Sequence, residues 1–123
     1  MRDENFLAIT IKSIEDNHHT VDEVYWVGTK DGKYGLHWLD FTLLANFDYD
    51  SGYGVPFIPM NLVVVGKDWW LERHEYDGSE WWEYKQLPIL HPDHQAWLWC
   101  EDDKDSWNQA MCTLDGVRIE EDD

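Results

Sequence analysis

The hydrophobic pattern changes period several times along the chain. Over residues 6–14, Leu7, Ile9 and Ile11 alternate with Ala8, Thr10 and Lys12, and this period of two predicts a first β-strand. Residues 15–20 are polar and read as a turn, with His18 and His19 in solvent. Residues 21–28, centred on Val24-Tyr25-Trp26-Val27, predict a second strand. Asp31-Gly32 is a favoured turn pair, and residues 33–36 return as a short strand. In residues 37–47, Trp38, Phe41 and Leu44 or Ala45 recur at helical spacing, as do Leu39 and Leu43. A helix stopped by Asn46 is the reading here, although so continuous an apolar run also suits a buried strand.

Residues 47–59 carry Tyr, Asp, Gly and Pro in a mixture too glycine-rich and acidic for a regular element. Leu62-Val63-Val64-Val65, closed by Gly66, is a β-branched run that predicts a buried strand. Residues 69–75 and 80–86 then form two strand-like runs around Tyr76-Asp77-Gly78-Ser79, the clearest local unit in the chain. In the last third, residues 95–99 suggest a strand, and residues 106–114 a short helix capped by Ser106 or Asp105. Asp115-Gly116 turns into a possible edge strand at 117–119, ahead of an acidic end. The whole predicts one acidic α+β domain over residues 1–123: a small antiparallel sheet with a tryptophan-rich hairpin and one or two short helices.

Charge suggests a register for the hairpin. A two-residue loop, Asp77-Gly78, sets Glu75 opposite Glu80 and Glu72 opposite Glu83, and like charges directly opposed are unfavourable. A three-residue loop with Gly78 left-handed shifts the pairing by one, which places Arg73 beside the Trp81 indole and Glu72 opposite Trp82. The three-residue loop is therefore expected. Doubled tryptophans put one indole on each face of each strand. In this register Trp69 and Trp81 point one way, Trp70 and Trp82 the other. Two readings stay open: the hairpin is covered on both faces, or two indoles lie exposed beside Glu72, Glu80 and Glu83 as a binding patch.

Composition sharpens this picture. The chain has 123 residues, nine of them Trp, and 26 Asp and Glu against nine Lys and Arg, for a net charge of −17. So negative a surface disfavours direct binding of nucleic acid or of an anionic membrane, and it attracts a basic protein. The acidity also serves simply to keep a tryptophan-rich chain in solution. The N-terminus has no signal-peptide pattern and no stretch is long and apolar enough to span a membrane. Cys100 and Cys112 do not form a disulfide framework, so reduced thiols and a cytoplasmic location are expected.

Candidate chemistry is sparse. His91, His94, Cys100 and Cys112 fit no common zinc spacing. Asp48 and Asp50 alternate as in a calcium loop, but the glycine and the closing glutamate of such loops are missing. No nucleophile elbow, P-loop or dinucleotide fingerprint occurs, and nothing singles out a catalytic carboxylate pair. The expectation is a protein without cofactor, metal or catalytic residues. Stacking of a sugar on exposed indoles is a minor alternative.

Phe47-Asp48-Tyr49-Asp50-Ser51-Gly52-Tyr53-Gly54, Leu62-Val63-Val64-Val65-Gly66 and the hairpin from Trp69 to Glu83 together resemble a group of small, uncharacterised acidic proteins encoded by phages and prophages of Gram-positive bacteria. The resemblance covers residues 47–86 and implies a mobile-element origin. It supplies no catalytic residues, and the segment after Pro88 departs from it. Origin and acidity together suggest an inhibitor of a host defence nuclease, anti-CRISPR-like or directed at a restriction enzyme, acting in the host cytoplasm by imitating the charge of DNA. The expected contacts are Asp48, Asp50, Glu72, Glu80 and Glu83, anchored by Trp70 and Trp82, with Glu101, Asp102, Asp103 and Asp105 as a second cluster. Alternatives are a non-inhibitory phage accessory or regulatory protein, and an immunity protein against a basic nuclease toxin. A homodimer through the tryptophan face is a further possibility.

Overall fold

A computed structural model describes residues 3–50, 58–101 and 110–120. The chain divides into two compact units, Met1–Leu87 and Pro88–Asp123. The architecture is α+β. The first unit runs β1 (Asp3–Asn5), α1 (Phe6–Asp16), a 3-10 turn (Val21–Glu23), β2 (Trp26–Thr29), β3 (Gly35–Leu36), α2 (Trp38–Ala45), β4 (Asp48–Asp50), β5 (Leu62–Val65), β6 (Trp69–Tyr76) and β7 (Ser79–Gln86). A five-stranded sheet has the order β3-β2-β5-β6-β7, antiparallel throughout, and β1 pairs with β4 in a two-stranded ribbon.

The first element is a helix, not the strand expected from alternation. Asn5 caps it by accepting a hydrogen bond from the Ala8 amide at 2.9 Å. The buried stripe is Phe6, Thr10 and Ile14, spaced at i, i+4 and i+8. Thr10, which a strand places on the polar face, is buried: its hydroxyl donates to the Phe6 carbonyl at 2.7 Å and accepts from the Trp82 indole at 2.8 Å. The same Asn5 side chain donates to Asn46 and Asp48, tying the helix start to the end of α2. Part of the expected acidic loop is regular too, since β4 buries Tyr49 between Asp48 and Asp50. Residues 51–57 of that loop lie outside the described residues. The second strand is shorter than expected, its first third being the 3-10 turn. α2, its stop at Asn46 and strand β5 match the sequence reading.

The hairpin corrects the expected register. Its loop has two residues, Asp77 and Gly78, both with positive φ (52° and 86°), as a type I′ turn requires. Tyr76 pairs with Ser79, Glu75 with Glu80, Arg73 with Trp82 and Glu72 with Glu83. Trp69 and Trp82 therefore share the core face, and Trp70 and Trp81 share the other. On the core face, Trp69, Leu71, Arg73, Glu80 and Trp82 are all buried. They pack with Phe6, Ile14, Val27, Phe41, Ala45, Tyr49, Ile58 and Val64. Gly66 lies against the Trp69 indole so closely that a Cβ there would sit 2.3 Å from the ring, so only glycine fits.

At the centre of this core is an ion pair. Arg73 Nη2 donates to Glu80 Oε1 at 2.8 Å, with the side chains 0% and 1% exposed. Arg73 also donates to the Tyr49 hydroxyl at 3.1 Å, and Glu80 accepts from the Ile58 amide at 3.3 Å. The guanidinium carbon lies 4.8 Å from the Trp82 ring centre and 5.3 Å from that of Phe6. The expected cation–aromatic contact exists, but on Trp82 rather than Trp81. His19 is also not a solvated turn residue: it stacks on Trp69 with ring centres 4.3 Å apart, and its Nε2 lies 2.9 Å from the Tyr84 hydroxyl.

In the second unit, β8 (Trp97–Trp99) and β9 (Met111–Thr113) pair antiparallel, with Leu98 opposite Cys112. β9 occupies the end of the expected 106–114 helix; residues 106–109 lie outside the described residues. Cys100 and Cys112 form a disulfide, with Cα atoms 5.2 Å apart, against the expectation of free thiols. Two cysteines twelve apart reveal no pairing by their spacing; the strand register that brings them together is a tertiary fact. Gly116 turns the chain at positive φ, and Arg118 bridges back to Cys112, a trace of the expected edge strand. Among the described residues no helix is long and apolar enough to cross a membrane.

Leaving one member of a buried ion pair alone costs about 3–5 kcal/mol, whereas replacing both by apolar groups is far milder. Glu80→Leu and Arg73→Met are each expected to lower unfolding free energy by about that amount in urea titrations. The double variant Arg73→Met, Glu80→Leu is expected to recover most of the loss; additive losses in the cycle would refute the pairing.

Candidate functional site

The outer face of the hairpin is built by the alternation that buries the inner one. Trp70, Glu72 and His74 project from β6, and Trp81, Glu83 and Lys85 from β7, in the pairs Trp70–Lys85, Glu72–Glu83 and His74–Trp81. β5 and β2 continue the face with Val63, Val65 and Trp26. Trp26 and Trp70 are half-buried, and Trp81 is 40% exposed.

The two carboxylates opposed on this face are each supplied with donors. Glu72 Oε1 accepts from the Trp70 indole N–H at 2.8 Å, and its Oε2 lies 2.7 Å from His74 Nε2 and 3.7 Å from Lys30 Nζ. Glu83 lies 3.0 Å from Lys85 Nζ and 3.4 Å from His74 Nδ1. His74 thus stands between the two carboxylates with one ring nitrogen toward each, and its ring stacks near Trp81. The Trp70 indole bond holds the Glu72 carboxyl below the usual carboxylate range, helped by His74 and Lys30 against the opposing effect of burial. Lys85 does the same for Glu83, and Glu83 in turn raises the Lys85 ammonium.

Of the eleven residues expected to contact a partner, Trp70, Glu72 and Glu83 share this face. Glu80 and Trp82 do not: both point into the core, where Glu80 is bound to Arg73 and Trp82 is 9% exposed. The expected register placed Trp82 outside, and the observed one exchanges it for Trp81. Asp48 and Asp50 lie on the β1–β4 ribbon instead, opposite Asn5 and Asp3. Glu101 is exposed in the second unit beside Cys100, and Asp102, Asp103 and Asp105 lie outside the described residues. Trp26, Lys30, His74 and Lys85 were not singled out from sequence. Period-two counting from Trp70 finds His74, but Trp26 and Lys30 arrive through pairing of strands far apart in the chain.

No group of metal-ligating side chains occurs among the described residues. The disulfide removes Cys100 and Cys112 from the zinc set considered above. What this face offers chemically is indole surface, fixed carboxylates and a few cations.

A carboxyl depressed in the folded state stabilises above its unfolded value, about 4.3 for Glu. That contribution disappears as pH falls through the lower folded value. Melting temperatures of the wild type and Glu72→Gln are therefore expected to differ most above the ordinary glutamate value and to converge as pH falls below it. A constant difference across that range would show that Glu72 contributes nothing through its charge. Comparison of the chain with protein-family models, with curated proteins and with solved structures finds no match.

Proposed function

We propose that this protein is a non-catalytic binding protein that docks on a basic protein through the outer face of its hairpin sheet. The target class is a nucleic-acid-binding defence protein of a bacterial host, and the docked protein competes with the nucleic acid. One observation carries the proposal: Trp70, Trp81, Glu72 and Glu83 stand together on one face of a sheet whose other face is committed to the core. Aromatic anchors ringed by charge are the composition of protein-binding hot spots. The net charge of −17 provides attraction toward a basic partner at long range.

The arrangement favours a local contact over an extended imitation of a phosphate backbone. Glu72 and Glu83 are held in fixed positions by indole, imidazole and ammonium groups, whereas Asp48 and Asp50 belong to a separate ribbon. Prearranged carboxylates lose little freedom when an arginine or lysine of the partner meets them.

Immobilised protein is expected to capture a nucleic-acid-binding protein from host lysate, and a DNA duplex or about 0.5 M salt to release it. The variant Glu72→Lys, Glu83→Lys, checked by circular dichroism for its fold, is expected to weaken capture by about tenfold or more. A partner retained by that variant, or indifferent to the duplex, would refute the reading.

A further inference from the structure

The outer face contains a recess as well as a surface. A cavity of about 330 Å³ is lined by Trp26, Lys30, Val63, Val65, Trp70 and Glu72. Strand register explains it. Trp26, Val65 and Trp70 stand side by side across β2, β5 and β6, and the next row is Gly28, Val63 and Glu72. Two indoles therefore lie on either side of β5, and beside Trp26 the place of a side chain at Gly28 is taken by the backbone of Tyr34 and Gly35. Gly35 leaves room for the Trp26 ring, since a Cβ there would come within 3.3 Å of it.

We propose that this recess receives a positively charged side chain of the partner, an arginine or a lysine, between the indoles of Trp26 and Trp70 with its charge on the carboxylate of Glu72. The inference rests on the protein-binding reading above and names the group that is recognised. Indole faces attract cations, and the attraction grows where water is excluded. Val65 between the indoles, and Val63 in the row beside it, suit the methylene stem of such a side chain. Glu72 is aimed and locked: its side chain is only 16% exposed, and the Trp70 indole holds one of its oxygens. The recess already meets a cation of this chain, because the half-exposed Lys30 approaches Glu72 at 3.7 Å. That distance is longer than a charge-assisted hydrogen bond, so Lys30 is a cation that a better-placed donor displaces. A sugar would need several directed hydrogen bonds, and the polar side chains on this lining are Glu72 and Lys30. An anion would be repelled by Glu72.

The test follows the indole N–H signals of the full chain by nitrogen-correlated NMR. The probes are N-acetyl-arginine methylamide, its uncharged citrulline counterpart, and glucose. The arginine probe is expected to shift the Trp26 and Trp70 signals saturably, at least about fivefold more tightly than citrulline. Glucose should leave both unmoved. Glu72→Gln and Trp26→Leu should abolish the response, and Lys30→Ala should tighten it about threefold by removing the internal competitor. Lys30 is exposed enough that its replacement leaves the fold in place. Equal response to citrulline or glucose, shifts confined to other tryptophans, or weaker binding by Lys30→Ala would each overturn the proposal. Capture of a basic partner that survives Trp26→Leu would overturn the recess and leave the wider reading standing. A saturable arginine response in a protein that captures no basic partner would do the reverse.

Discussion

The buried pairing of Arg73 with Glu80 is the interaction on which the rest of this fold is arranged. Taking two charges out of water is costly, and the cost is offset only where their geometry is good. Here the contributors come from everywhere in the first unit. Phe6 is the first residue of α1, Tyr49 lies on β4, Ile58 precedes β5, and Trp82 is on β7; each touches the pair. Among the described residues Arg73 Nε and Nη1 have no hydrogen-bond partner, and the flat guanidinium instead lies against two aromatic rings. One cation thus joins the helix, the ribbon and the hairpin. A slip of one residue in the hairpin would turn Glu80 and Trp82 out of the core together and strand that cation.

This explains why reasoning from surface charge chose the wrong register. Opposed carboxylates on a sheet cost roughly 0.2–1 kcal/mol per pair, while an unpaired buried charge costs about 3–5 kcal/mol. The larger effect decides, and it was invisible because nothing in the sequence marks Glu80 as buried. The smaller effect is then removed locally: His74 stands between Glu72 and Glu83, with Lys30 and Lys85 at their other sides.

Much of the first unit was legible where one local signal dominated. The valine run of β5, the limits of β6 and β7, and α2 with its stop at Asn46 follow from period and turn residues alone. The first helix was not, because Leu7, Ile9 and Ile11 alternate by coincidence while the decisive stripe runs through a polar residue, Thr10. Its burial is intelligible only beside the Trp82 indole, 72 residues away in sequence. The candidate surface was half legible for the same reason. Trp70, Glu72 and Glu83 follow from strand alternation, whereas Trp26 and Lys30 join them only through β5. The disulfide likewise depends on a pairing of strands that spacing does not encode.

The two-residue turn at Asp77 and Gly78 has an evolutionary consequence. Together with the inward-facing side chains it sets the alignment of the hairpin without help from the outward-facing ones. In the proposed role, information for folding and information for recognition are written on alternate letters of the same two strands. Positions 70, 72, 74, 81, 83 and 85 can change while the letters between them stay constant. Under that proposal the outer surface can be redrafted in this way, one residue at a time, while the inward-facing letters keep the alignment of the strands.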